Sequence, residues 1–95
     1  MLEESIYISD ILYAEADGKR AKIHTKKGVI DASMSMADLE EVLPANEFCR
    51  PIRWALVSMR EIVAMPTDIL KLSDKTEIPI SRLKRKEIQE AFANY

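Results

Sequence analysis

Apolar and polar residues alternate in short runs along most of this chain, and a period of two predicts strands. Ile6-Tyr7-Ile8 predicts a first short strand. From Ile11 to Glu15 the alternation puts Ile11, Tyr13 and Glu15 on one side, with Leu12 and Ala14 on the other. Asp17-Gly18 is a hairpin signal. The return strand, Arg20 to Thr25, sets Ala21, Ile23 and Thr25 against Lys22 and His24. Lys27-Gly28 predicts the next turn, and Val29 to Ala32 the next strand.

The spacing then becomes helical. Met36, Leu39, Val42 and Leu43 share one face, Ser35 is the expected N-cap with Asp38 three residues on, and Pro44 ends the element. Strand-like runs return at Phe48 to Arg50, Leu56 to Ser58, Ile62 to Met65, Ile69 to Leu72 and Thr76 to Ile80, with a turn at Ser73-Asp74-Lys75. Ser81 is expected to cap a final helix through Ala93, with Ile88, Ala91, Phe92 and Tyr95 on its apolar side. Arg82, Arg85 and Lys86 fall together on a different face at helical spacing. The expected class is mainly β with one or two short helices, a fold whose loops carry the function.

Composition adds bounds. The 95 residues fit one domain, 1–95, and the 47% hydrophobic and 32% charged content excludes a disordered chain. No apolar run approaches the roughly 20 residues of a membrane helix, and no secretory leader is evident. Cys49 is the single cysteine, which fits a reducing cytoplasm.

A net charge of -2 speaks against a polyanion partner until its distribution is followed. Residues 1–17 carry only acids, whereas residues 18–28 carry Lys19, Arg20, Lys22, Lys26 and Lys27 and no acid. Residues 31–47 return to acids alone. Arg50, Arg53 and Arg60 follow, then Arg82, Lys84, Arg85 and Lys86. A fold that gathers the basic segments would have a cationic face and an anionic back. Ordinary solvated charge is the other reading of the same residues.

Catalytic constellations are missing. His24 stands mid-strand with no second His or Cys at ligand spacing, so it reads as a sheet residue. Cys49 beside Arg50 is either a thiol of lowered pKa suited to redox sensing or a small buried side chain. Two glycines cannot build a phosphate-cradling loop, and Glu40-Glu41 lie on a predicted amphipathic helix. No enzyme activity, metal or cofactor is expected.

Four segments in order resemble the LytTR family of bacterial DNA-binding domains. They are Asp10-Ile11-Leu12-Tyr13-Ala14-Glu15, the helix region from Ser35 to Pro44, the stretch Phe48-Cys49-Arg50-Pro51-Ile52-Arg53-Trp54-Ala55-Leu56-Val57-Ser58, and Glu77-Ile78-Pro79-Ile80-Ser81-Arg82. The resemblance spans nearly the whole chain. It implies an elongated stack of small antiparallel sheets whose loops enter successive major grooves of double-stranded DNA. It also implies pairing as dimers on direct repeats, and a place behind a phosphorylated receiver domain in a response regulator that acts on RNA polymerase. Within the third segment Ile52 stands where the family usually has His, Trp54 where it has a small hydroxyl residue, and Ser58 where it often has Asn; Pro51 is also unusual.

Carried over, the resemblance offers Lys19 and Arg20 after the first hairpin strand, Arg53 with Arg50 behind it, and Arg82 before the last helix. Arginine pairs bidentately with guanine, so Arg53 and Arg82 are the expected base readers. Lys19, Arg20, Lys22, Arg85 and Lys86 are expected to hold phosphates, as is the N-terminus of the last helix through its free N–H groups. Trp54 would pack on sugar or a thymine methyl, anchor a protein contact, or sit at the rim of the core. A LytTR-like protein-interaction module that has lost sequence-specific binding is the alternative function. The positions of Glu40, Glu41 and Glu47 relative to Arg53 and Arg82 discriminate the two.

Overall fold

The computed structural model describes residues 7–95. Two antiparallel sheets form, flanked by two short helices. The first sheet contains β1 (Ile11–Asp17), β2 (Arg20–Thr25), β3 (Gly28–Ala32), β4 (Phe48–Ile52) and β5 (Ala55–Ser58), in the order β3-β2-β1-β5-β4. The second contains β6 (Ile62–Ala64), β7 (Ile69–Leu72) and β8 (Glu77–Pro79), in that order. Helix α1 (Met36–Val42) lies between β3 and β4, and α2 (Arg85–Ala93) ends the chain. The molecule measures 35 × 23 × 21 Å, so it is elongated.

Both faces of the larger sheet are covered, which explains how so short a chain buries so many aliphatics. On one face Ile11, Ala14, Ile23 and Leu56 pack against Met36, Leu39 and Leu43 of the α1 region. On the other, Leu12, Tyr13, Ala55 and Val57 meet Leu70, Leu72 and Ile78 of the smaller sheet and Ile88 of α2. Burial of this kind is worth about 1.5–3 kcal/mol per large aliphatic side chain.

Strict alternation along β1 does not hold. Four consecutive residues, Ile11 to Ala14, are buried. The register passes from Ile11 opposite Thr25 to Tyr13 opposite His24, so Leu12 is the extra residue of a β-bulge. The bulge sends Leu12 and Tyr13 to one core and Ile11 and Ala14 to the other. His24 lies against Tyr13 with ring centroids 4.2 Å apart, and its Nε2 lies 2.7 Å from Glu15 Oε1.

The two ends of the chain also depart from the expected pattern. Ile6 lies outside the described residues, and Ile8–Asp10 forms a 3-10 turn rather than a strand. The last helix starts at Arg85, not after Ser81. Ser81 makes no side-chain cap, and Arg82–Lys84 forms a tighter 3-10 turn, with the Lys84 N–H donating to the Ser81 carbonyl at 2.9 Å. Arg82 therefore does not share an α-helical face with Arg85 and Lys86. Tyr95, expected on the apolar side, is exposed, while Ile88 is buried and Ala91 and Phe92 pack on the core. At α1 the expected cap forms, the Ser35 hydroxyl accepting the Asp38 N–H at 3.1 Å, but Val42, expected on the apolar face with Met36, Leu39 and Leu43, is exposed.

Glu61 couples the sheets. Its side chain is buried, yet Lys26 Nζ from the β2–β3 turn lies 3.2 Å from one oxygen, and the Ser73 hydroxyl donates to the other at 2.6 Å. A buried carboxylate needs such partners, because removing it from water without them is strongly unfavourable.

Candidate nucleic-acid interface

Three tight turns converge at one end of the larger sheet. The first joins β1 to β2. Asp17 pairs with Arg20, leaving Gly18 and Lys19 as the central residues. Gly18 has φ +63° and Lys19 is not in the left-handed region, the pattern of a type II′ hairpin turn. Such a turn leaves the Lys19 side chain exposed at its tip.

The second turn, Arg53-Trp54, joins β4 to β5, with Ile52 opposite Ala55. Pro51 precedes it within a strand, where a missing N–H would normally break the ladder. It is tolerated because β4 is an edge strand and its register slips by one residue between Cys49 and Ile52. Freed from the ladder, the Pro51 carbonyl accepts the Ser81 N–H at 2.8 Å. That bond brings up the third turn, Arg82–Lys84. On the opposite side the Trp54 carbonyl accepts the Ala16 N–H at 2.9 Å, holding the first hairpin against the second.

Arg50 fastens this arrangement. Its Nε and Nη2 both donate to the Arg53 carbonyl, at 3.2 and 2.8 Å, and its Nη1 donates to Glu40 Oε1 of α1 at 2.7 Å. The guanidinium thus closes its own turn and ties that turn to α1. Two open clefts flank it. One, of about 550 Å³, includes Gly18, Lys19, the start of α1, Arg53 and Trp54 in its walls. The other, of about 430 Å³, is lined by Glu40, Arg53, Ser81, Leu83 and Lys84. Arg50 and Arg53 belong to both, so they form the ridge between them.

The residues singled out from sequence divide by their partners. Among the described residues Lys19, Arg20, Arg53, Arg82 and Lys86 form no ion pair, and all are exposed. Lys22 lies 3.8 Å from Asp17, and Arg85 is paired with Asp68. The clefts gather Lys19, Arg50, Arg53 and Trp54; Arg20, Lys22, Arg82, Arg85 and Lys86 line neither. Leu83 and Lys84, which do line one, were missed as site residues. Lys84 was legible as part of the last basic cluster, whereas an isolated Leu carries no sequence signal for a surface role. Of the three acids that matter to the charge of this end, Glu40 lies in a cleft with Arg53 but is paired with Arg50, while Glu41 and Glu47 line neither cleft.

Cys49 resolves between its two readings. It is buried, and burial, with a smaller contribution from Glu87, pushes its thiol from 9.0 up to about 12. A neighbouring Arg50 does not activate it, since that guanidinium is engaged elsewhere. At neutral pH Cys49 is a protonated, small apolar side chain. The sign of the linkage follows. The folded state keeps a proton that the unfolded state loses above pH 9, so stability falls as pH rises through 9 towards 12. Tyr13 is raised in the same direction, chiefly by burial and then by Glu15. Urea unfolding across pH 9 to 10.5 should show a decline in wild type that is steeper than in Cys49→Ala by about 1 kcal/mol per pH unit. Parallel declines would mean that the thiol does not titrate as its burial requires.

Residues 4–93 match the model of the LytTr DNA-binding domain. The chain belongs to the LytTr family. This is a family of DNA-binding domains of transcriptional regulators, not of enzymes. Transcriptional regulatory protein YpdB, from Escherichia coli K12 and from Escherichia coli O6:H1, is 33% identical over 89 residues. The match covers 87% of this chain and 36% of YpdB, so the chain spans about a third of the length of the curated relatives it matches. The LytTr DNA-binding domain of a Bacillus cereus protein superposes with a TM-score of 0.82 at 19% identity, covering 99% of this chain and 94% of that one. The stacked antiparallel sheets with two short helices are therefore the LytTr fold. Among the described residues of this LytTr domain, no helix is long and apolar enough to cross a membrane.

Proposed function

We propose that this LytTr domain reads DNA sequence for a bacterial transcription regulator, with its loops entering successive major grooves of paired direct repeats. The observation that carries the reading is the convergence of the Gly18-Lys19, Arg53-Trp54 and Arg82–Lys84 turns around one braced ridge. Exposed cations without internal partners are what a polyanion attracts.

In this reading Arg53 and Arg82 contact guanine edges, and Trp54 packs on sugar or a thymine methyl. Lys19, Arg20 and Lys86 hold phosphates, and Lys22 and Arg85 exchange Asp17 and Asp68 for phosphate as the duplex arrives. Residues 1–95 act as one domain. Two copies pair on DNA, in a cytoplasmic regulator whose receiver domain lies elsewhere in a longer protein and whose output reaches RNA polymerase. The relatives' names and their greater length support that placement.

Selection from a random duplex pool, followed by anisotropy across a salt series, tests the reading. A short motif in direct repeat should emerge. The five residues assigned to phosphates, Lys19, Arg20, Lys22, Arg85 and Lys86, give a log–log salt slope of roughly -4 to -5 per domain, at about -0.9 per phosphate. No motif, with negligible affinity at low salt, would overturn it. That result would favour a protein-interaction module, which the half-exposed Trp54 at the cleft would suit.

A further inference from the structure

Leu83 is 93% exposed, in the middle of the 3-10 turn between Arg82 and Lys84. A lone exposed leucine is ordinary on a protein surface. This one is distinguished by its place. It lines the same cleft as Arg53, and among the described residues it is the only strongly exposed large apolar side chain that does. The turn beneath it is held from both sides: the Ser81 N–H by the Pro51 carbonyl, and Arg85 by Asp68. With about three residues per turn, successive side chains of a 3-10 turn point about 120° apart. Leu83 therefore stands alone in its direction, with cations on either side and Arg53 across the cleft.

A protein surface would meet such a leucine with further apolar neighbours, and the cleft offers none of comparable exposure. A duplex offers the complementary pattern: phosphates for the flanking cations and, in the major groove, the 5-methyl group of thymine as the apolar edge of a base pair. We infer that Leu83 is a specificity-determining residue that reads a thymine methyl beside the base contacted by Arg53. This rests on the DNA-reading function proposed above and adds to it an apolar contact that the basic residues cannot supply. The held backbone means that little ordering is needed at the moment of contact.

The test uses the full chain and the duplex selected from the random pool. Each thymine is replaced singly by deoxyuridine, which removes only the methyl group, and dissociation constants are measured for wild type and Leu83→Ala. At one position wild type should lose about fourfold in affinity, the worth of one buried methyl group. Leu83→Ala should bind the unmodified site correspondingly more weakly and show no further loss at that position. Leu83→Met, which keeps an apolar side chain, should retain most of the sensitivity. Equal deoxyuridine losses in wild type and Leu83→Ala, or none in either, would overturn the inference while leaving DNA reading intact. If wild type selects no motif at all, the DNA reading fails and the inference fails with it. Leu83 is too exposed for its replacement to unfold the chain.

Discussion

Replacing Arg53 with alanine is expected to weaken binding to the selected duplex by about tenfold to a hundredfold, the worth of one bidentate arginine–guanine contact. The loss should be confined to sequence. Repeating the selection with Arg53→Ala should relax the motif at one position in each half-site, while affinity for unrelated duplex falls by only the effect of one charge. Lys19→Ala is the control. Lys19 sits at a hairpin tip in the neighbouring cleft, so its loss should weaken all sequences alike and reduce the magnitude of the salt slope by about 0.9. The contrast rests on structure as well as charge type. Arg53 follows Pro51 and Ile52 out of a bulged edge strand, and the Arg50 guanidinium grips its carbonyl twice, so its side chain leaves from a fixed backbone. Lys19 has no such anchor. If Arg53→Ala weakens specific and unrelated duplexes equally, Arg53 is a phosphate contact and the readers lie elsewhere.

Much of the fold was legible because its signals are local. The Asp17-Gly18 hairpin, the Ser35 cap and the period-two strands each depend on residues a few positions apart. What escaped depends on the third dimension. The β1 bulge arises because both faces of one sheet must be filled, so four adjacent apolar residues divide between two cores. Pro51 read only as a departure from the family pattern, beyond a strand expected to end at Arg50; the edge position and the register slip make it an anchor for Ser81.

The candidate site was legible to the extent that charge and resemblance coincide. Lys19, Arg53 and Trp54 do come together around one ridge. Charge alone could not separate cations engaged inside the molecule from those left exposed, since that depends on where distant acids fall. Arg85 meets Asp68 and Lys22 meets Asp17, so these two have partners to exchange. Leu83 was invisible because an apolar residue in a sequence reads as core until its exposure is known.

Arg50 separates a positioning residue from a contact residue, and its replacement by alanine is expected to weaken specific binding by roughly tenfold, about 1.4 kcal/mol. Two effects combine. The Arg53 carbonyl loses both guanidinium donors, so the turn that aims Arg53 loosens, and Glu40 is left as an unpaired carboxylate in the cleft it shares with Arg53, where it would repel the phosphates of a bound duplex. Stability should fall by only about 1 kcal/mol, because the Arg50–Glu40 pair is partly open to solvent. Arg50→Lys retains the charge but not the forked geometry, so it should recover little of the lost specificity. Adding Glu40→Gln to Arg50→Ala removes the stray carboxylate and should restore part of the affinity for all sequences, without sharpening the motif. The salt slope decides between roles. A residue that braces the turn leaves the slope of wild type unchanged in the Arg50→Ala, Glu40→Gln double variant, whose net charge at the pair is the same. A slope smaller by about 0.9, with the motif intact, would make Arg50 a phosphate contact instead.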